Sequence, residues 1–85
     1  MNNSIYEIEV TDRKSFIEFV DLLLQDFYKH RDKWENDRLE TFLEAMSAYT
    51  NVLHNYYKNA KINLDADVAS WRGFADILIG AKIYE

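Results

Sequence analysis

The amino-acid sequence predicts an all-α protein, a compact three-helix bundle with a short extended N-terminal arm. Three observations support this fold class. The 85 residues include no proline and only two glycines, which favours long, uninterrupted helices. Apolar residues form 48% of the chain, a share typical of a packed core. Three segments repeat apolar residues at helical spacing. We therefore expect a single helical domain over residues 1–85, with the arm at 1–11 and the bundle at 12–85.

The arm contains the segment IYEIEV (residues 5–10), which alternates in the manner of a strand. Its apolar residues Tyr6, Ile8 and Val10 fall on one side, and glutamates fall between them. The sequence offers no second run of this kind to pair with it. We interpret the segment as an arm lying over the helices, and the alternative is a strand edge offered to another chain.

The first helix is expected to start after Thr11 or Asp12, since both are good N-cap residues. Helical spacing places one narrow stripe of apolar residues on its inner side: Phe16, Val20, Leu23 and Phe27. Leu22 falls among polar residues on the opposite side. This position predicts an exposed leucine or a contact residue.

The second helix is expected to be capped by Asn36 or Asp37 and to run without interruption to Tyr57. The third is expected to follow a loop at 58–66 and to be capped by Asp67 or Ser70. Their apolar residues recur at helical spacing. The inner stripes are Leu39, Phe42, Leu43, Met46, Leu53 and Tyr57 in the second helix, and Val68, Trp71, Phe74, Ala75 and Leu78 in the third.

Trp34-Glu35-Asn36 lies between the first two helices and sets a tryptophan among charged residues. We interpret Trp34 as a structural residue that packs over the helix junction, while Glu35 and Asn36 satisfy free backbone N–H groups. Trp71 is assigned a structural role in the third helix. The alternative for Trp34 is an anchor in a binding interface, where tryptophan is enriched.

The motifs of the chain, taken together, resemble a family of small bacterial helical proteins of unknown function. The resemblance rests on Trp34-Glu35-Asn36 with Leu39 and Phe42-Leu43, on Ser70-Trp71-Arg72, and on the ending Ala81-x-x-Tyr84-Glu85. It extends from about residue 12 to the C-terminus. It implies a small helical domain and brings no known activity, cofactor or catalytic residue.

Several classes of function find no support in the sequence. The chain has no cysteine, which removes disulfides, thiolate zinc sites and cysteine nucleophiles. Its net charge of −5 does not suit nucleic-acid binding, which depends on clustered basic residues. Asp65 and Asp67 resemble the start of a calcium loop, but Val68 and Phe74 occupy its required glycine and glutamate positions. We interpret the two aspartates as charges favourable to the start of the third helix. We expect no cofactor and no metal.

The most consistent function is a small acidic, non-enzymatic protein-interaction domain. An acidic surface favours a basic protein partner, and one version is an inhibitor or immunity-type protein for a basic toxin. The competing alternative is a small enzyme that uses His30 or His54 with nearby carboxylates. The candidate contact residues are Leu22, Glu40, Glu44, Tyr49 and Tyr56.

A flank of small residues on the third helix, Ala69, Gly73 and Gly80, indicates close approach of another helix. We interpret this as contact with the first helix or the arm of the same chain. Self-association is the alternative, so a homodimer stays open. No signal peptide and no membrane span is evident, and we expect a cytoplasmic protein.

Overall fold

The computed structural model describes residues 4–85. This part of the chain contains no β-strand, so the all-α fold class is confirmed. The predicted count of three helices is wrong, because the second predicted helix is divided in two. The α-helices are α1 (Arg13–His30), α2 (Leu39–Asn51), α3 (Leu53–Asn59) and α4 (Trp71–Ile83), with a 3-10 turn (Arg31–Lys33) after α1.

Asp12 caps α1, one of the two caps predicted. Its Oδ1 accepts a hydrogen bond from the backbone N of Ser15 at 2.9 Å. In return, the backbone N of Asp12 donates to Ser15 Oγ at 3.0 Å. This capping box satisfies N–H groups that a helix start leaves without internal partners. The start of α1 therefore follows from local sequence.

The predicted second helix breaks at Val52, where φ of −113° and ψ of 12° leave the helical region. Neither glycine nor proline stands at this position, so no local residue indicates the break. After it, Leu53 and Tyr57 are buried as predicted. Leu39 and Leu43 are 73% and 50% exposed, so their assignment to the inner stripe is wrong.

The predicted caps of α2 are also wrong. Its N-cap residue is Arg38, whose side chain makes no capping hydrogen bond, and neither Asn36 nor Asp37 caps the helix. The cap of α4 is Ser70, one of the two predicted: its Oγ accepts a hydrogen bond from the backbone N of Gly73 at 2.9 Å. Val68 was predicted on the inner stripe but precedes α4 and is 62% exposed.

Asp65 and Asp67 lie in a turn before α4 and not at its first residues. Asp65 Oδ1 accepts a hydrogen bond from the backbone N of Asp67 at 2.9 Å, which is an Asx turn. The interpretation of these aspartates as charges at the helix start is therefore corrected. They stabilise the loop that leads into α4.

α4 lies in the middle of the fold, where it packs against both α2 and α1. The helices form a flat arrangement with extents of 32 × 30 × 19 Å. A helix with its side chains is about 10–12 Å across. The thin dimension therefore accommodates one layer of helices and a covering segment.

The N-terminal arm is that covering segment. Ile5, Ile8 and Val10 are buried in one cluster with Phe19 of α1 and Ala75 of α4. Ile5, Ile8 and Val10 thus lie over α1 and α4, and residues 1–3 lie outside the described residues. Burial of the arm side chains removes apolar surface of two helices from water and joins them.

The arm turns at residues 5–7 and does not continue as a strand. The Ser4 carbonyl accepts hydrogen bonds from the backbone N of Glu7 and of Ile8. This turn places Ile5 inside and Tyr6 outside, where Tyr6 is 59% exposed. The predicted alternation is therefore wrong at Tyr6.

Leu22 is half-buried, which corrects its predicted exposure. It packs against the cluster formed by the arm. The buried centre of α1 lies at Phe19 and Leu23, while Val20 of the predicted stripe is 39% exposed. The apolar arc of α1 is wide, and the part of it that contacts the arm is buried in the core.

Candidate functional site

A groove of about 560 Å³ opens beside the arm. Its wall includes four tyrosines from four parts of the chain: Tyr6 in the arm, Tyr49 in α2, Tyr56 in α3 and Tyr84 after α4. We call it the tyrosine groove. Its other lining residues are Arg72, Asp76, Ile79, Gly80, Ile83 and Glu85.

Tyr49 stands at the centre of this aromatic wall. Its ring centroid lies 5.4 Å from that of Tyr84 at an interplanar angle of 67°, and 6.1 Å from that of Tyr56. These are ordinary aromatic packing distances. Burial raises the pKa of Tyr49 to about 12, and the nearby Tyr56 and Asp76 make smaller contributions in the same direction. The phenol therefore stays neutral at physiological pH.

The polar floor of the groove is an internally paired Arg72–Asp76 unit. Arg72 Nη2 and Nε donate to Asp76 Oδ1 at 2.7 and 3.0 Å, and Arg72 Nη1 donates to the Ile8 carbonyl at 3.3 Å. The Tyr57 hydroxyl donates to Asp76 Oδ2 at 2.8 Å. Burial and this hydrogen bond raise the pKa of Tyr57. The arginine is thus engaged by the fold, and the described residues of the groove lining include no other basic side chain.

The rim of the groove is acidic. Glu85 lines the tyrosine groove and, with Tyr84, also lines a neighbouring cavity of about 270 Å³ to which Glu44 contributes. Among residues 4–85, neither lining includes a lysine or histidine, and Arg72 is the one arginine in them. A low-dielectric wall with carboxylates at its edge concentrates negative potential. The described linings of the two cavities therefore carry more negative than positive charge.

A second polar cluster joins the arm, α1, the corner after α1, and α4. Lys82 Nζ lies 2.9 Å from Asp26 Oδ2 and donates to the Tyr6 hydroxyl at 3.1 Å. Trp34 Nε1 donates to the same Asp26 oxygen at 2.8 Å. Lys82 is 5% exposed, which is rare for a lysine.

The charge states of this cluster follow from its contacts. Burial alone would lower the pKa of Lys82, but its hydrogen bonds to Asp26 and Tyr6 outweigh burial and raise it. Burial alone would raise the pKa of Asp26, but hydrogen bonds from Lys82 and Trp34 outweigh it and lower it. Both groups are held charged, so we interpret the cluster as structural.

Trp34 packs at the helix corner, as predicted. Its ring centroid lies 5.0 Å from that of Phe27 and 6.0 Å from that of Phe42. Asn36 has a different role from the predicted one. Its Nδ2 donates to the carbonyls of Ala81 and Tyr84, and its backbone N donates to the Lys82 carbonyl. It closes the C-terminal end of α4, not the start of α2.

Trp71 packs in a partly exposed aromatic group. Its ring centroid lies 5.3 Å from that of Phe16 and 5.7 Å from that of Phe74. Its side chain is 36% exposed. Trp71 therefore packs against other aromatic residues, as its place on the inner stripe predicts, but it is not fully buried. It joins the starts of α1 and α4.

The predicted contact residues separate into two sets. Tyr49 and Tyr56 line the tyrosine groove, and Glu44 lines the neighbouring cavity. Leu22 lines a different cavity under the arm, and Glu40 is exposed beside Arg38 at 3.3 Å. The structure therefore brings together three of the five residues.

The predicted small-residue flank is covered within the chain at two of its three positions. Gly73 and Gly80 are buried. A Cβ at Gly80 would collide with the Tyr49 ring, and one at Gly73 would lie 3.6 Å from the Tyr57 hydroxyl. The contact is thus with α2 and α3, which corrects the expected contact with the first helix or the arm. Ala69 is exposed in the loop before α4.

His30 and His54 are both exposed, and neither lines the tyrosine groove. Across the described residues, no group of three histidine or carboxylate side chains is placed to hold a metal ion. None of the described helices has the length and apolar character needed to cross a membrane.

Sequence reasoning missed Tyr6, Arg72, Asp76, Ile83 and Glu85 as groove residues. The Arg72–Asp76 pair carries a usable signal, since oppositely charged residues four apart meet on one helix face. The others are brought to the groove by long-range packing.

Together, the fold and the groove define a small all-helical domain with an aromatic, acid-rimmed groove. Residues 12–85 match the family of unknown function DUF7660, and the chain belongs to that family. No curated protein and no solved structure matches the chain.

Proposed function

We propose that the protein is a small acidic, non-enzymatic protein-interaction domain whose tyrosine groove binds a positively charged segment of another protein. The observation that carries this proposal is the composition of the groove. Four tyrosines form its wall, Glu85 contributes a carboxylate with Glu44 in the neighbouring cavity, and the one arginine among its described lining residues is already paired with Asp76.

The aromatic wall supports a cationic ligand. An arginine or lysine within about 6 Å of a tyrosine ring centroid gains roughly 0.5–2 kcal/mol, depending on how far it is desolvated. Tyr56 is 40% exposed and has its neighbour Tyr49 on one side, so part of its ring is open to a ligand. An aromatic platform of this kind binds without requiring a change in the fold.

The charges support the same class of partner. Glu44 and Glu85 can pair with a cationic side chain that enters from solvent, while the whole chain carries a net charge of −5. Complementary charge speeds association, and salt screens it over a Debye length of about 8 Å at physiological ionic strength. Binding should therefore weaken as salt is added.

The test is titration calorimetry with a hexa-arginine peptide and, as its charge-reversed counterpart, a hexaglutamate peptide. We expect the hexa-arginine peptide to bind and the hexaglutamate peptide not to bind. Tyr56→Ala should weaken it by about 5–30-fold, the equivalent of roughly 1–2 kcal/mol. Tyr28→Ala is the matched control, because Tyr28 is 75% exposed and lies outside the groove.

Two results would contradict the proposal. One is an absence of hexa-arginine binding at low salt. The other is an equal effect of Tyr56→Ala and Tyr28→Ala, which would place binding elsewhere on the acidic surface.

The inhibitor of a basic toxin is a finer version of the same proposal, and the acidic rim is what favours it. Such an inhibitor would bind a folded basic protein through Glu44 and Glu85 as well as through the groove. Charge reversal by Glu44→Lys should then slow association with that protein more than it speeds dissociation. Hexa-arginine binding without binding of any folded basic protein would contradict this version.

A further inference from the structure

Lys82 is buried beside aromatic rings and is also paired with a carboxylate. Its Nζ lies 5.3 Å from the ring centroid of Tyr6 and 5.7 Å from that of Trp34. It also lies 2.9 Å from Asp26 Oδ2 and donates to the Tyr6 hydroxyl at 3.1 Å. An ammonium is strongly hydrated and loses its water on burial. In this fold, a carboxylate and a hydroxyl replace that water, and the rings alone do not hold the lysine.

Arg31 lies over an aromatic ring with less support from other groups. Its guanidinium carbon is 4.9 Å from the Phe27 ring centroid. Its side chain is 60% exposed, and its ion pair with Asp37 is long, at 3.5 Å between Nε and Oδ2. A guanidinium is planar and more weakly hydrated than an ammonium, so one face can stack on a ring while its edge stays in water. An arginine therefore uses an aromatic ring here without a close carboxylate.

Asp76 is the buried carboxylate of the tyrosine groove, and its hydrogen bonds are made within the chain. It is 5% exposed. Its Oδ1 accepts from Arg72 Nε and Nη2, and its Oδ2 accepts from the Tyr57 hydroxyl. The positive charge of Arg72 offsets that of the carboxylate. The other carboxylate among the described lining residues is Glu85, which is exposed. Deep in the groove, a ligand therefore meets no counterpart of the carboxylate that holds Lys82.

Three tyrosines of the groove form a row of touching rings. The Tyr49 ring centroid lies 5.4 Å from that of Tyr84 and 6.1 Å from that of Tyr56. Rings at these distances pack against one another, so a cation lies against the row and not between its members. The ring of Tyr6, the fourth tyrosine, already has the Lys82 ammonium 5.3 Å from its centroid, which disfavours a second cation there. The open ring is that of Tyr56, which is 40% exposed.

We propose that the tyrosine groove selects arginine over lysine, and that the segment it binds presents an arginine whose guanidinium stacks on the exposed face of Tyr56. This inference rests on the proposed function and narrows its ligand from any positively charged segment to one that contains arginine. The exposed Glu85 attracts either cation. A guanidinium stacks flat on a single open ring and gives up less hydration than an ammonium does. A quaternary ammonium, in contrast, is bound best where several rings surround it.

The experiment is titration calorimetry at one ionic strength with three peptides of equal charge: hexa-arginine, hexalysine and a hexapeptide of trimethyllysine. Long-range attraction to the acidic protein is then nearly the same for all three, so differences in affinity report the contacts of the side chains. We expect hexa-arginine to bind about tenfold more tightly than hexalysine. The trimethyllysine peptide, which lacks both a planar group and N–H donors, should also bind less tightly than hexa-arginine.

Substitutions of Tyr56 separate stacking in the groove from a general affinity for arginine. Tyr56→Ala should reduce the preference for hexa-arginine over hexalysine to about threefold or less, because the open ring is lost. Tyr56→Phe should retain the preference, since it keeps the ring face and removes only the hydroxyl. Tyr28→Ala, at a 75% exposed position outside the groove, should leave the preference unchanged. Circular dichroism checks that each variant keeps the helical fold.

Each contrary result has its own meaning. Equal affinities for hexa-arginine and hexalysine, both weakened by Tyr56→Ala, would overturn the selection of arginine and leave the proposed function in place. A preference for arginine that persists in Tyr56→Ala would overturn stacking on that ring. Tighter binding of the trimethyllysine peptide would overturn the inference in favour of a site for quaternary ammonium groups. Failure of all three peptides to bind would contradict the proposed function itself, and this inference with it.

Discussion

Asn36 donates one hydrogen bond to the carbonyl of Ala81 at 2.9 Å and a second to the carbonyl of Tyr84 at 2.8 Å. A side chain from the corner between α1 and α2 thus closes the end of a helix 45 residues away. It satisfies carbonyls that the last turn of α4 leaves without internal partners. The Trp34-Glu35-Asn36 motif and the Ala81-x-x-Tyr84-Glu85 ending, distant in sequence, are one structural joint.

Asn36→Asp should lower the free energy of unfolding by about 2–4 kcal/mol. A carboxylate cannot donate, so it would face two carbonyl oxygens and leave them unpaired. Asn36→Ala should cost less, about 1–3 kcal/mol. Urea denaturation measures both. Asn55→Asp, at an exposed position of α3, is the control. An equal loss of the free energy of unfolding in this variant would contradict the role of Asn36 in closing α4.

Lys82→Met should lower the free energy of unfolding by about 3 kcal/mol, because removal of one partner from a buried ion pair leaves the other charge uncompensated. Adding Asp26→Asn should recover part of this loss, since the amide oxygen still accepts from Trp34 Nε1. Chemical denaturation of the two variants makes the comparison. Arg38→Met is the control: it breaks the exposed pair with Glu40 and should cost less than about 1 kcal/mol.

Gly80→Ala should destabilise the fold by about 1–3 kcal/mol, although alanine is the better helix former. The added Cβ would collide with the Tyr49 ring, which cannot bend out of the way as a flexible side chain can. At Gly73, the nearest atoms to a Cβ are Ser70 Oγ at 3.0 Å and the Tyr57 hydroxyl at 3.6 Å. Thermal unfolding should show a clearly smaller loss for Gly73→Ala than for Gly80→Ala, and a reversed order would contradict the packing.

The free energy of unfolding should fall at both low and high pH because the ion pair of Asp26 and Lys82 is lost at each end. The pKa of Asp26 is lowered from 3.8, so its contribution is present above that value and is lost as pH falls through the lower folded pKa. The pKa of Lys82 is raised from 10.5, so its contribution is present below that value and is lost as pH rises through the higher folded pKa.

Urea denaturation at a series of pH values checks this dependence. In the Asp26→Asn/Lys82→Met variant, the losses of stability below about pH 4 and above about pH 10.5 should both be smaller than in the wild type. If the free energy of unfolding falls equally steeply with pH in the wild type and in the double variant, the ion pair makes no contribution.

Much of the fold was predictable because it depends on neighbours in the sequence. The capping box of Asp12 and Ser15 lies within one helical turn, and Ser70 caps α4 through the N–H of Gly73. These contacts form wherever the segment becomes helical. The break at Val52 was not predictable in this way, since the local residues permit a continuous helix.

The candidate site was predictable in part. The sequence indicates Tyr49, Tyr56 and Glu44 as available for contact, because aromatic and acidic residues recur on the flanks of α2 and α3. Their convergence with Tyr6 and Tyr84 was not, because it depends on where the arm and the end of α4 are placed. For the same reason the expected contact of Gly80 with the first helix or the arm is wrong, and its neighbour is the Tyr49 ring.

The sequence by itself determined the helical class, the packing of Trp34 at the corner and the cap of α1. The tertiary structure alone decided which apolar residues of α1 become core, since periodicity identifies an apolar arc but not the segment that covers it. It also decided that Asn36 would close α4 and that Lys82 would be buried beside Asp26. Both depend on contacts between residues far apart in sequence, whose partners no local pattern specifies.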